Sequence, residues 1–262
     1  MPELPDVEVL KTLADRTIRG RGIQRVELSE PRLLETPPAA TFKHHIEGSH
    51  VRATRRHGKY LFAVLGRGAL YFHFGMTGTL QWGKGADVPE HTRMILWCHE
   101  NDRLAYVCQR KLGRFGWTAD IGKLLAEKDL GPDALALDVN AFRERLQARH
   151  GSIKSALMNQ STLAGIGNIY SDEILFHAKI APQSDARALG EKHWRALYTA
   201  TQHVLHTAVD KGARPNAMPH SWLLPRRQAG ATCPKCGGTV EHGHAGQRST
   251  YWCPNCQVAL RA

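Results

Sequence analysis

The strongest constraint on the fold lies near the C-terminal end. Cys233-Pro-Lys-Cys236 and Cys253-Pro-Asn-Cys256 form two C-x-x-C knuckles with sixteen residues between Cys236 and Cys253. That spacing fits a tetrahedral four-thiolate zinc site. Two disulfides are the alternative, but nothing marks the chain as secreted, and disulfides belong to oxidising compartments. Four thiolates fill the coordination shell, so such a zinc is structural, not catalytic. Between the knuckles, Thr239-Val240 and Ser249–Trp252 read as the arms of a β-hairpin, with Gln247 and Arg248 placed to reach a phosphate. His242 and His244 could compete as ligands, but the four cysteines suffice. Cys98 and Cys108 fall in apparent strands and read as reduced thiols.

Charge narrows the partner. The chain has 262 residues, with 35 Lys plus Arg against 24 Asp plus Glu, a formal charge of +11. A chain this basic, with no visible secretory leader, points to a polyanion, nucleic acid before anything else. A basic protein without such a partner, or one whose partner is RNA, is the competing reading. Hydrophobic residues make up 42%, enough for a core. No apolar run approaches the length of a membrane span, and no basic amphipathic helix stands out. A cytoplasmic monomer is expected.

The periodicity changes twice. Residues 3–17 read as a helix with Val7, Leu10 and Ala14 on one face. From about residue 22 to 118 short β-rich runs alternate with turns: 22–28, 49–54, 60–65, 69–74, 94–98 and 104–107. Such a series predicts an antiparallel sandwich or barrel, with 83–90 as an exposed loop. From about 121 the pattern is helical: 121–128, a helix capped by Asn140, another capped by Ser152, one from Asn168 to about Ala178, and a long helix over 190–211. Residues 213–231 show no period and read as a linker or mobile loop. The fold class is therefore α+β in two domains: a β-domain over 1–120, a helical domain over 121–212, a linker over 213–230, and a zinc module over 231–262.

Two stretches could carry chemistry. Removal of Met1 would leave Pro2 as a secondary amine, a nucleophile able to form an iminium with an aldehyde-level carbon. Glu3 follows and could shuttle the proton. The competing reading is that Pro2 and Pro5 merely start a helix. The second stretch is the glycine-containing double turn at 160–167 between two helices. It places Lys154 near one helix N-terminus and Gly167-Asn168 at the other, and a helix N-terminus is a ready phosphate site. An ordinary helical hairpin is the competing reading.

Five short motifs, in order, carry a resemblance: Pro2-Glu-Leu-Pro-Asp-Val-Glu8, Arg55-Arg-His-Gly-Lys-Tyr-Leu61, His73-Phe-Gly-Met-Thr-Gly78, Gly165-Ile-Gly-Asn-Ile-Tyr170 with Glu173, and the zinc module with Gln247-Arg-Ser-Thr250. Over nearly its full length the chain resembles the formamidopyrimidine-DNA glycosylases, of the wider family that includes endonuclease VIII. The resemblance implies an N-terminal helix on a β-sandwich, a helical domain with a helix–two-turn–helix, and a zinc-ribbon hairpin, with damaged double-stranded DNA between the domains. It implies a bifunctional DNA glycosylase and abasic-site lyase of base excision repair, with one structural zinc and no organic cofactor. By the same resemblance Pro2 is the nucleophile and Glu3 the acid/base. Lys59 sits near the lesion phosphate. Lys154, Asn168 and Arg248 grip phosphates, and Glu173 braces the site. Met76, Arg110 and Leu112 fill the gap left by the extruded nucleotide.

Departures from the pattern bear on the substrate. Val107-Cys-Gln precedes Arg110 where Asp-Pro is frequent, and Leu112 replaces an aromatic. Residues 212–230 lack the longer loop that often caps oxidised guanine and read Pro225-Arg-Arg-Gln where Tyr-Gly-Arg is usual. Abasic sites and hydantoin lesions are expected substrates, with poor excision of 8-oxoguanine. The alternatives are a relative specialised for pyrimidine or crosslink lesions and a non-catalytic zinc protein that binds damaged DNA.

Overall fold

The computed structural model describes residues 1–85 and 87–261. It divides into two compact units. The first comprises Met1–Pro2 and Asp6–Lys128; the second comprises Glu3–Pro5 and the chain from Asp129 onward.

The first unit holds the greater part of helix α1 (Leu4–Thr17) and two four-stranded antiparallel sheets. One sheet is ordered β1 (Arg25–Leu28), β6 (Thr92–Trp97), β7 (Asp102–Cys108), β5 (Gly78–Lys84). The other is ordered β2 (Ala53–His57), β3 (Tyr60–Val64), β4 (Ala69–His73), β8 (Arg114–Thr118). Val26, Leu80, Met94 and Leu104 of one sheet share a core with Leu61, Leu70, Phe72 and Phe115 of the other. This is the sandwich that alternating strands require to bury their apolar faces. The hairpin β2–β3 is closed by Gly58-Lys59, with His57 opposite Tyr60. Gly58 takes a φ of 54°, the left-handed conformation such short turns need.

The strands at 60–65, 69–74, 94–98 and 104–107 appear with shifts of a few residues at their ends. The expected strand at 49–54 forms instead over Ala53–His57, because the two-residue turn sets its register against β3. Three elements escape the pattern. The expected loop from residue 83 begins inside β5, whose two glycines weaken any strand signal. Strand β8 and the helix α2 (Ala39–Ile46) carry no clear period and are held by tertiary packing of Phe42 and Phe115, 5.9 Å apart between ring centroids. Helix α3 (Ile121–Glu127), assigned from sequence to the helical domain, belongs to the first unit: Leu124 packs with Phe62, Ala69 and Tyr71.

The second unit contains α4 (Val139–Gln147), α5 (Ile153–Met158), α6 (Asn168–Ala178), α7 (Glu191–Asp210) and the hairpin β9 (Glu241–Ala245) and β10 (Arg248–Trp252). The cap of α4 is Asp138, whose Oδ1 accepts from Asn140 N and Ala141 N at 2.9 Å each; Asn140 lies inside the helix. Ser152 caps α5 through Ser155 N. On α7, Trp194, Leu197, Thr201, Val204, Leu205 and Ala208 are buried, as their spacing requires.

The stretch read as a linker or mobile loop is exposed over much of its length but anchored at a few points. Two short 3-10 turns, Pro215–Ala217 and Leu224–Arg226, organise it, and Met218, Trp222 and Leu223 are buried. Its apolar anchors are too few and irregular to leave a period. Among the described residues no helix is long and apolar enough to cross a membrane.

Candidate active site and nucleic-acid interface

Glu3 is the pivot of the second unit. Its side chain is 1% exposed although nothing in its sequence context is apolar enough to predict burial. Its carboxylate accepts three backbone N–H groups at the start of α6: Gly167 N at 2.8 Å, Ile169 N at 2.8 Å and Tyr170 N at 3.2 Å. These are orphan donors of the first helical turn, aligned with the positive end of the helix dipole. The N-terminus of α6, expected to cradle a phosphate, thus holds Glu3 on these donors. Leu4 adds a fourth tie through its N–H to Gly165 O at 3.0 Å and buries its side chain in the helical core.

This docking explains the glycines. A Cβ on Gly167 would stand 2.3 Å from Glu3 Cδ, and one on Gly165, where φ is 117°, would stand 2.7 Å from Leu4 Cδ1. The double turn itself is pinned by two amides. Asn159 Oδ1 accepts from Ser161 N, Ser161 Oγ and Thr162 N. Gln160 donates to Met158 O and Ile166 O and accepts from Gly165 N. Pro2, half-buried, directly precedes the residue that carries the anchored carboxylate.

Lys154 requires a correction. The sequence marked it as a phosphate contact, but its side chain is 0% exposed. Its Nζ donates to Asp172 Oδ1 at 2.6 Å, Thr250 Oγ1 at 2.9 Å and Ser249 O at 3.0 Å. All three ammonium protons are used to tie α5 to α6 and to the zinc hairpin, and none is left for a ligand. Burial draws the Lys154 ammonium below its ordinary value and the Asp172 carboxyl above its own, while their contact opposes both shifts.

Asn168 opens α6 and is half-buried, and its Oδ1 is buried without a hydrogen-bond partner among the described residues. Glu173 braces a particular segment: Leu223 N donates to Oε1 at 3.1 Å and Leu224 N to Oε2 at 2.6 Å, with His177 Nε2 3.1 Å from Oε1. Sequence reasoning passed over Asp172 and Arg227. Arg227 Nε donates to Asp172 Oδ2 at 2.9 Å. Asp172 lies one turn beyond Asn168, a spacing that could have flagged it; Arg227 sat in a stretch without a period.

In the first unit, two turns meet. Met76 lies between β4 and β5, and Arg110 and Leu112 lie between β7 and β8. Gly75 has a φ of 58°, and a Cβ there would be 2.4 Å from the Leu112 carbonyl carbon. Arg110 N donates to Thr77 Oγ1 at 3.2 Å. Met76 and Leu112 are 42% and 45% exposed, large apolar side chains on the two turns that meet. Arg110 is exposed beside them. Lys59 stands in the β2–β3 turn. Burial, aided by the Lys59 charge, holds the His73 imidazole down at about 4, and burial pushes the neighbouring Tyr60 hydroxyl up to about 12.

The four cysteine sulfurs all lie within 4.8 Å of one another. Cys233 and Cys256 Sγ are 3.7 Å apart, and Cys236 and Cys253 Sγ are 3.5 Å apart. A regular tetrahedron with zinc–sulfur bonds of the usual length has edges of about 3.8 Å, so the donor set fits one zinc. Gly238 N points to Cys236 Sγ at 3.4 Å. His242 Nε2 is instead 2.8 Å from Ser249 Oγ. Arg248 is exposed beside the Gly246-Gln247 turn at the hairpin tip.

Comparison with known proteins agrees with this layout. The family model described as "Formamidopyrimidine-DNA glycosylase N-terminal domain" matches residues 1–115. The "Formamidopyrimidine-DNA glycosylase H2TH domain" matches 130–218, and "Zinc finger found in FPG and IleRS" matches 230–258. A formamidopyrimidine-DNA glycosylase of Symbiobacterium thermophilum is 37% identical, covering 98% of this chain and 89% of that protein. One from Acaryochloris marina is 34% identical, covering 98% and 99%. Among solved structures, a complex between Lactococcus lactis Fpg and DNA containing an abasic site aligns with a TM-score of 0.87 at 27% identity, covering 97% of this chain and 99% of that one. MutM in complex with DNA containing carbocyclic 8-oxo-G aligns at 0.88 and 28%, covering 98% and 99%.

Proposed function

The chain belongs to the formamidopyrimidine-DNA glycosylase family, and from that premise we propose that it is a DNA glycosylase and abasic-site lyase of base excision repair, acting on damaged double-stranded DNA. The observation that carries the reading is the anchoring of Glu3, the residue bonded directly to Pro2, by three N–H groups of α6. A nucleophile next to a carboxylate that backbone donors hold in place is what covalent catalysis at a sugar carbon needs.

After removal of Met1, the Pro2 nitrogen attacks C1′ of an extruded nucleotide and the glycosidic bond breaks, the electron pair leaving with the base. Glu3 takes the proton that the Pro2 nitrogen gives up on attack; the freed lone pair then opens the C1′–O4′ bond to give the iminium, and Glu3 returns the proton to O4′. Loss of a C2′ proton then expels the 3′ phosphate, and a second elimination expels the 5′ phosphate. Lys59, Asn168 and Arg248 hold the backbone phosphates. Met76 and Leu112, exposed on neighbouring turns, occupy the space of the extruded nucleotide, with Arg110 facing the orphaned base. The zinc supplies rigidity to the hairpin that presents Arg248. A cytoplasmic monomer acting on the nucleoid goes with this reading.

The lesion range is abasic sites and hydantoins ahead of 8-oxoguanine. What supports it is the packed segment around Trp222 and Leu223, pinned by Glu173 where a free capping loop would need slack. Borohydride trapping on duplexes carrying abasic, hydantoin, oxidised pyrimidine and 8-oxoguanine sites tests both levels. A covalent adduct on abasic DNA that disappears when Met1 is retained is expected. Trapping that survives the blocked amine would remove Pro2 from its role, and fast 8-oxoguanine excision would reverse the lesion order.

A further inference from the structure

The segment after α7 delivers one side chain that is held from several directions. Arg227 Nε and Nη2 both reach Asp172 Oδ2 at 2.9 Å. Nη2 also donates to the Asn168 carbonyl at 3.4 Å. The guanidinium carbon stands 4.7 Å from the centre of the Tyr251 ring. Asp172 Oδ2 in turn accepts from Tyr251 N at 3.3 Å, and Asp172 Oδ1 accepts from Lys154. One guanidinium therefore touches the first turn of α6 and the strand β10 that begins at Arg248.

The chemistry suits a fixing role. A planar guanidinium that forks onto a carboxylate and stacks on a ring has little rotational freedom left. The Asn168 Oδ1 is buried with no hydrogen-bond partner among the described residues, so no contact at that oxygen ties the side chain down apart from the backbone that carries it. A contact to the Asn168 carbonyl fixes the backbone from which that side chain projects.

We infer that Arg227 is a positioning residue, which locks the Asn168 backbone and the Arg248-bearing zinc hairpin into one unit so that two phosphate grips bind together. The inference rests on the proposed DNA-binding roles of Asn168 and Arg248. Arg227 acts through these contacts and not by touching DNA itself.

The test uses the full-length zinc-loaded protein and a duplex with a tetrahydrofuran abasic analogue for affinity. Single-turnover cleavage of a true abasic duplex at saturating protein reads the chemical step. Arg227→Gln raises Kd about tenfold, while the saturated cleavage rate stays within about twofold of wild type. Arg227→Lys keeps a charge on Asp172 but loses the fork and the stack, and recovers only part of the affinity. In an Asn168→Ala background Arg227→Gln adds less than about twofold, because both changes remove the same grip. Zinc content and Tm are read on every variant. An Arg227→Gln protein that binds as wild type overturns the inference. So does one whose loss adds in full to Asn168→Ala, or one whose zinc content and saturated rate fall together with affinity. If Arg227→Gln does not fold, Arg227→Lys is judged by the same additivity. Wild-type protein that neither binds nor traps abasic DNA overturns the functional reading, and the inference with it.

Discussion

The β-sandwich and the zinc hairpin are held by different forces. The sandwich buries a large apolar cluster contributed by both sheets, α1 and α2, so its stability is spread over many side chains. The apolar cluster around the hairpin is small, comprising Phe176, Leu223, Cys233, Val240 and Cys253, two of which are metal ligands. What that core lacks is supplied by the four-thiolate site and by the buried Lys154–Asp172–Arg227 group. A small module that cannot bury enough surface needs such staples. The lesson is that damage to one region should be graded and to the other abrupt.

Metal removal probes that contrast most strongly. Structural zinc contributes on the order of 10 kcal/mol of apparent binding free energy to a small module. Chelation should therefore abolish amide-exchange protection over 233–256 while β3 and β4 keep theirs. Equal loss of protection in the strands would show that the two regions are one cooperative unit.

Next in size is Lys154→Ala. Truncation leaves Asp172 buried with Arg227 as its remaining cation, a cost of about 3 kcal/mol. Lys154→Met with Asp172→Asn removes both charges and should recover part of it, as urea unfolding would measure. A double variant no better than the single would mean that the ammonium acts through packing alone.

On the sandwich side, His73 gives a pH signature. Its folded-state value of about 4 lies below the ordinary 6.5. Between those values the unfolded chain takes up a proton that the folded chain refuses, so stability falls as pH drops from about 6.5 to about 4 and levels off below. The contribution is at most about 3 kcal/mol. His73→Asn should flatten that limb of a Tm-against-pH curve, and an unchanged slope would assign it to other groups.

The smallest effect belongs to Arg248→Ala. With the hairpin intact, the log–log salt slope of DNA binding should shrink by about one, with Tm unchanged. A slope that stays as steep as wild type would remove Arg248 from the phosphate contacts.

Local spacing was enough for some of this molecule. The knuckles at Cys233–Cys236 and Cys253–Cys256, the apolar stripe of α7, the Ser152 cap and the Asn168 start of α6 each depend on residues a few positions apart. Periodicity and spacing report such relations directly. The motif order was enough for the family. Tertiary structure decided the rest, and it did so wherever a polar side chain found its partner far along the chain. Glu3 meets Gly167, Lys154 meets Asp172 and Thr250, and Arg227 meets Asn168 and Tyr251. A lysine beside a helix start reads as a phosphate ligand until its three protons are seen to be taken. An aperiodic stretch reads as a linker until Trp222 and Leu223 are seen to be buried. Burial of charge depends on compensation by distant groups, and that compensation exists only once the chain has folded.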